Sequence, residues 1–246
     1  ICVLRSMHTD TAAHASGCLQ MNSGSVLIGK PCLGSWLSYG LGSMNQNLPN
    51  FVVMTDPRGG PIGSASNWSR GFMPAAYQGT LFRSKGSPLL DLATPAGISA
   101  RTQRSGLDLL KKLNEEHARS RPGEPELAAR IESYELAYRM QTAAAQAVDI
   151  EREDVATREM YGLNKKLTAD FGRKCLITRR LLEQGVRFIQ LYSGGGHIED
   201  TWDGHNNCIS NHTLHAGETD QPIGALIADL KRTGLWDETL IVWGGE

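Results

Sequence analysis

The stretch from Val186 to Trp243 constrains the fold most, because it reads as strand, glycine turn, polar loop, helix and strand in succession. Val186 to Tyr192 alternates in the manner of a strand and runs into the turn Ser193–Gly196. Ile223, Leu226, Ile227 and Leu230 recur at helical spacing, and Gly234 ends that helix. The apolar run Thr239, Leu240, Ile241, Val242 and Trp243 then predicts a buried strand. Such a βαβ unit has parallel strands and a right-handed crossover, so the loop after the first strand and Glu246 after the second fall on one edge of the sheet. The expectation is an α/β fold with a mostly parallel sheet flanked by helices, in a single domain over 1–246, since α/β domains of this length need not split.

Upstream, Phe51-Val52-Val53-Met54 predicts a core strand, followed by a turn at Asp56-Pro57-Arg58-Gly59-Gly60. Residues 8–21 predict a short helix stopped by Asn22-Ser23-Gly24, and residues 171–184 a second one. Residues 56–104, rich in Gly, Pro, Ser and Thr, read as a long surface segment, either an excursion facing substrate or a mere connection. The charged, Ala- and Leu-rich stretch from Gly106 to Val148, broken near Pro122–Pro125, predicts two helices. They begin a helical cover over 106–165, with Leu127, Ile131, Tyr134 and Tyr138 on one apolar face.

A net charge of −1 offers no basic stripe for nucleic acid or anionic membrane, and no apolar run reaches the roughly 20 residues needed to span a bilayer. The five cysteines include no CxxC pair, which argues against a zinc ribbon or a disulfide framework and for buried or free thiols. No GxGxxG follows a first strand, so a dinucleotide-binding oxidoreductase is set aside.

The chemistry concentrates in the loop that follows the strand at 186–192. It carries His197, Asp200, Asp203, His205, His212 and His215, so four of the seven histidines fall within twenty positions. Carboxylate oxygen combined with neutral imidazole suits zinc, manganese or iron, and Asp203-Gly204-His205 can present two side chains from one turn. Asp203, His205, His212 and Glu246 are the candidate metal ligands; His197 and His215 read as supporting or surface groups. A second constellation, His8, Thr9, Asp10, His14 and Ser16, sits at the start of the first predicted helix. There, free N–H groups and the helix dipole favour an oxyanion. The plainer alternative makes Thr9 or Asp10 an ordinary N-cap.

The segments His8-Thr9-Asp10 to Asn22-Ser23-Gly24, Gly34-Ser35-Trp36-Leu37-Ser38-Tyr39-Gly40-Leu41-Gly42 to Asn47-Leu48-Pro49, Trp202-Asp203-Gly204-His205 and Trp243-Gly244-Gly245-Glu246 resemble the exported bacterial family called domain of unknown function 1501. That family is in turn similar to sulfatases and other members of the alkaline phosphatase superfamily. The resemblance implies a parallel-sheet α/β fold, divalent metal ions (zinc, manganese, calcium or iron), periplasmic or other export, and hydrolysis of a small-molecule or glycan sulfate or phosphate ester. Asp203, His205 and Glu246 occupy the places of metal ligands in related phosphomutases. Counting ten residues back from Gly24, where sulfatases place their nucleophile, reaches His14 in place of Cys, Ser or Thr. Three possibilities stay open: Thr9 serves as nucleophile, His14 is a ligand or accepts the group itself, or the reaction is lost and the chain is an exported binding or scaffold protein. The family also continues from the final Glu into Phe-Gly-Arg and a later Arg-Asp-His segment. The expectation is therefore a domain truncated at both ends, inactive or poorly metallated as it stands.

Overall fold

The computed structural model describes residues 1–83, 86, 89, 94–121, 125–196 and 200–245. Its sheet has three parallel strands in the order β2-β1-β3, with β1 at Phe51–Met54, β2 at Thr80–Leu81 and β3 at Phe188–Leu191. The helices are α1 (His14–Ser23), α2 (Leu33–Leu41), α3 (Ala100–Arg119), α4 (Pro125–Val148), α5 (Val155–Met160), α6 (Ala169–Glu183) and α7 (Cys208–Thr233). The architecture is α/β, a small parallel sheet flanked by helices, as expected.

The central strand β1 is apolar at every position because both of its faces are covered, the usual condition of a parallel strand. Val52 and Met54 point into a core shared with Leu176, Ile177 and Leu181 of α6 and Leu230 of α7. Phe51 and Val53 point the other way, toward Cys32, Trp68 and Phe188. On that second side α2 comes close because Gly34 has no side chain; a Cβ there would lie 2.5 Å from Phe188 Cδ1.

Several expectations need correction. The strand expected at 239–243 does not form: Leu240, Val242 and Trp243 are exposed, and β3 is the edge of the described sheet. An apolar run becomes a strand only when it is paired to a neighbour's ladder, and residues 239–243 pair with no described strand, leaving the outer side of β3 open. Residues 56–104 are not simply a surface excursion. They supply β2, and Trp68 and Phe82 are buried in the two cores. Among the described side chains of α4 the buried positions are Met140, Ala144 and Ala147, whereas Tyr134 is exposed and Ile131 and Tyr138 are half-buried; the Leu127 side chain lies outside those described. The buried face is lined largely by small residues, which carry little hydrophobic signal in a sequence. Finally, α7 begins at Cys208, well before the expected Ile223, and carries Pro222 inside it. Proline normally breaks a helix interior, which hid the first half of α7 from the sequence. The helix at 171–184 is present as α6, and all five cysteines are free thiols. Burial pushes the Cys175 thiol up to about 12, so it remains protonated in the core.

Candidate metal centre

Helix α1 starts at His14, later than predicted. Its N-cap is Ala13, which has no capping side chain, so neither Thr9 nor Asp10 caps it. Those two residues fold back along the helix instead: Thr9 Oγ1 and Asp10 N both donate to Gln20 Oε1, and Gln20 Nε2 donates to Asp10 Oδ2. One hydroxyl, one N–H and a return bond on a single amide tie residues 9 and 10 along the helix, whose first turn falls downstream at His14. Gly24 ends the helix in the left-handed conformation, φ +68°.

This start brings His14 to the loop after β3. His14 Nε2 lies 3.1 Å from Asp203 Oδ2, and His205 Nε2 lies 2.6 Å from the same oxygen. One ligand atom from each of the three residues falls within 4.8 Å of the others. All three side chains reach solvent, at 48%, 35% and 57% exposure, so the centre opens to incoming molecules. The Asp203 turn is tight. Its N–H is held by Thr201 Oγ1, Gly204 N donates to Trp202 O, and a Cβ at Gly204 would sit 3.0 Å from Cys208 Cα. Glycine is needed there for room at the start of α7 rather than for a left-handed backbone.

The other predicted ligands fall differently. His212 Nε2 faces the Trp202 carbonyl at 2.8 Å, one turn into α7, and is outside the trio. His215 is fully buried rather than a surface group. His197 and Glu246 lie outside the described residues.

A second set of groups, missed from sequence, sits where β1 and β3 end. Asp56, buried, accepts from Arg58 N at 3.0 Å, Arg58 Nε at 2.8 Å and Gly194 N at 2.9 Å. The same guanidinium donates a fork to Glu218 Oε1 and Oε2 at 3.1 and 2.9 Å, and Glu218 Oε2 faces His215 Nδ1 at 3.1 Å. Lys174 of α6, fully buried, donates to Tyr192 O at 2.8 Å, just past β3, and to Thr55 O at 3.4 Å, just past β1. Here two glycine turns meet backbone to backbone: a Cβ on Gly195 would stand 2.2 Å from Gly59 O. Only the turn at 56–60 was visible in the sequence; its partner Glu218 is 160 positions away.

The family described as Protein of unknown function (DUF1501) matches residues 1–246. The chain belongs to this family. No curated protein and no solved structure was found to match it.

In this DUF1501 chain the Asp56 network sets a pH dependence. Burial alone raises the Asp56 carboxyl, but hydrogen bonds from the Arg58 side chain, from Arg58 and Gly194 backbone N–H groups, and the charge of Lys174 outweigh it. The carboxyl is held below the usual carboxylate range. The folded state therefore binds fewer protons than the unfolded state in acid, so Asp56 contributes its full stability above the unfolded value near ~3.9 and loses it as pH falls through the folded value. Urea midpoints of the native protein and Asp56→Asn are expected to differ most at neutral pH and to converge in acid. A gap that stays constant from neutral pH into acid contradicts this role. Lys174 is shifted in the same direction for a different reason: burial lowers its amine below the ordinary lysine value, only partly opposed by Asp56, Asp170 and Cys175.

Proposed function

We propose that the full-length protein is a metal-dependent hydrolase of sulfate or phosphate esters, with His14, Asp203 and His205 as metal ligands. The observation that carries this reading is the meeting of His14, from the start of α1, with Asp203 and His205 from the loop after β3. Two imidazoles and a carboxylate form a donor set suited to zinc or manganese. Two atoms each about 2.0–2.1 Å from a tetrahedral zinc stand roughly 3.3 Å apart. His14 Nε2 and Asp203 Oδ2 are 3.1 Å apart, and His205 Nε2 needs to open from 2.6 Å by less than one further ångström. Both distances to Asp203 are therefore within an ångström of that spacing, and all three ligand atoms lie within 4.8 Å of one another.

On this reading His14 is a ligand rather than the residue that accepts the transferred group, because its Nε2 faces a carboxylate oxygen. Thr9 is held by Gln20 and stands ahead of the helix, so it is not presented at the first turn in the way a nucleophile would be. A bound divalent ion would supply Lewis-acid polarisation of the ester oxygen and a nucleophile at neutral pH. The chain's own residues contribute the open face, the fixed Asp203 turn and the N–H groups at the start of α1, which suit the oxyanion of an ester. The alkaline phosphatase-like and exported character drawn from the family resemblance agrees with such chemistry and belongs to the same proposal. Among the described residues no helix is long and apolar enough to cross a membrane.

The test is turnover by the full-length protein with chromogenic aryl phosphates and aryl sulfates in the presence of zinc, manganese or calcium. The expected result is hydrolysis of one ester class that a chelator abolishes and that Asp203→Asn lacks. The exposure of the trio favours a second reading, a non-catalytic binding or scaffold protein that carries a metal. Bound metal with no turnover of either ester class would move the assignment there.

A further inference from the structure

We infer that Arg58, Glu218 and His215 form a positioning chain that fixes the Asp203 turn from beneath and so sets how tightly the candidate centre holds its metal. The inference rests on the metal-binding part of the proposed function. The chain begins at Asp56, which closes the end of β1 and holds Gly194 just past β3. It passes through the forked Arg58–Glu218 pair, a geometry that fixes direction as well as distance. Glu218 then orients the ring of His215 through Nδ1.

The His215 ring lies against the Trp202 indole, with centroids 5.4 Å apart and planes inclined by 33°. Trp202 is the residue before Asp203. Its Nε1 donates to Ser193 Oγ at 3.2 Å, and its carbonyl accepts from His212 Nε2 and from Gly204 N. The turn bearing Asp203 and His205 therefore has two supports: the backbone bonds around Trp202, and the ring beneath it that Glu218 orients.

His215 itself is not accounted for by stability. It is fully buried, and among the described residues its Nε2 has no hydrogen-bond partner. A buried nitrogen left unsatisfied is destabilising, whereas an apolar ring of similar size would pack there without that penalty. What an imidazole adds is an orientation locked by a carboxylate, the device by which outer groups commonly steer a metal site.

The experiment measures zinc affinity of the full-length protein by competition with a chromophoric chelator, together with the cobalt(II) absorption spectrum, for the native protein, Glu218→Gln and Arg58→Lys. Glu218→Gln keeps the shape but loses the charge that orients His215, and Arg58→Lys keeps charge but loses the fork. Both are expected to bind zinc about 10–100-fold more weakly, the usual scale for loss of an outer-shell partner, and to alter the cobalt spectrum while the far-UV circular dichroism is unchanged. Should Glu218→Gln not fold, His215→Phe keeps a buried ring against Trp202 but removes the imidazole that Glu218 orients, and the same loss is expected. Native affinity and an unaltered cobalt spectrum in the folded variants overturn the inference. Failure of the native protein itself to bind zinc or cobalt overturns the metal centre instead, so the two failures are distinguishable.

Discussion

Replacing Asp229 with alanine is expected to lower the stability of the fold by about 3–5 kcal/mol, the cost of breaking a buried ion pair by removing one partner. Asp229 is fully buried in α7. Its Oδ2 accepts from the Tyr161 hydroxyl at 3.0 Å and is paired with Arg179 Nε at 3.0 Å. Its Oδ1 accepts from Arg232 Nε at 2.9 Å. Burial, reinforced by the neighbouring Asp229 charge, holds the Tyr161 hydroxyl well above its ordinary value, so it stays a proton donor that needs this acceptor. Without Asp229 the buried Tyr161 hydroxyl has lost that acceptor, and Arg179, its side chain 5% exposed, keeps Glu153 and Glu183 as its acidic partners among the described residues. The helix pair α6 and α7 covering one face of β1 is thereby loosened. Urea unfolding should show a lower midpoint with an unchanged slope, and Asp237→Ala, at an exposed position, should change stability by no more than about 0.5 kcal/mol. An equally small change in Asp229→Ala would show that the pair contributes nothing net.

The second large effect concerns affinity rather than folding. Asp203→Asn is expected to reduce zinc affinity of the full-length protein by more than the roughly 10–100-fold that an outer-shell loss costs, because it removes the one carboxylate of the trio. Asp203 Oδ2 is the atom that both His14 Nε2 and His205 Nε2 approach. The amide that replaces it is neutral and a poor ligand, and two imidazoles from separate elements are left to hold the ion. Asp203 is partly exposed, so the thermal midpoint of the metal-free protein should barely move. A matching fall in stability would mean the residue is a structural brace.

How much of this could be read in advance follows from what kind of signal each feature leaves. β1 was legible because both of its faces are buried, which leaves an unbroken apolar run. β3 and α6 were legible from alternation, helical spacing and the glycine between them. β2 was not: two residues are too few to show a period, and Thr80–Leu81 lies within a loop-like composition. The segment 239–243 shows the converse, an apolar run with strand character that pairs with no described strand. Asp203-Gly204-His205 was visible because its spacing is local. His14 was visible only as part of a separate constellation, since its meeting with Asp203 is made by the fold. Of the Asp56, Arg58, Glu218 and His215 chain, the turn at 56–60 and His215 were visible but not their connection, which exists only once β1 and α7 are packed together; Pro222 had disguised the helix that carries half of it.

The most direct measurement is an equilibrium zinc titration of the full-length protein beside His14→Ala. Saturable binding is expected in the native protein, with a clear loss of affinity in the variant, because in the proposed centre His14 would join α1 to the loop after β3 through the ion. No saturable binding in the native protein, or binding unchanged in His14→Ala, contradicts it.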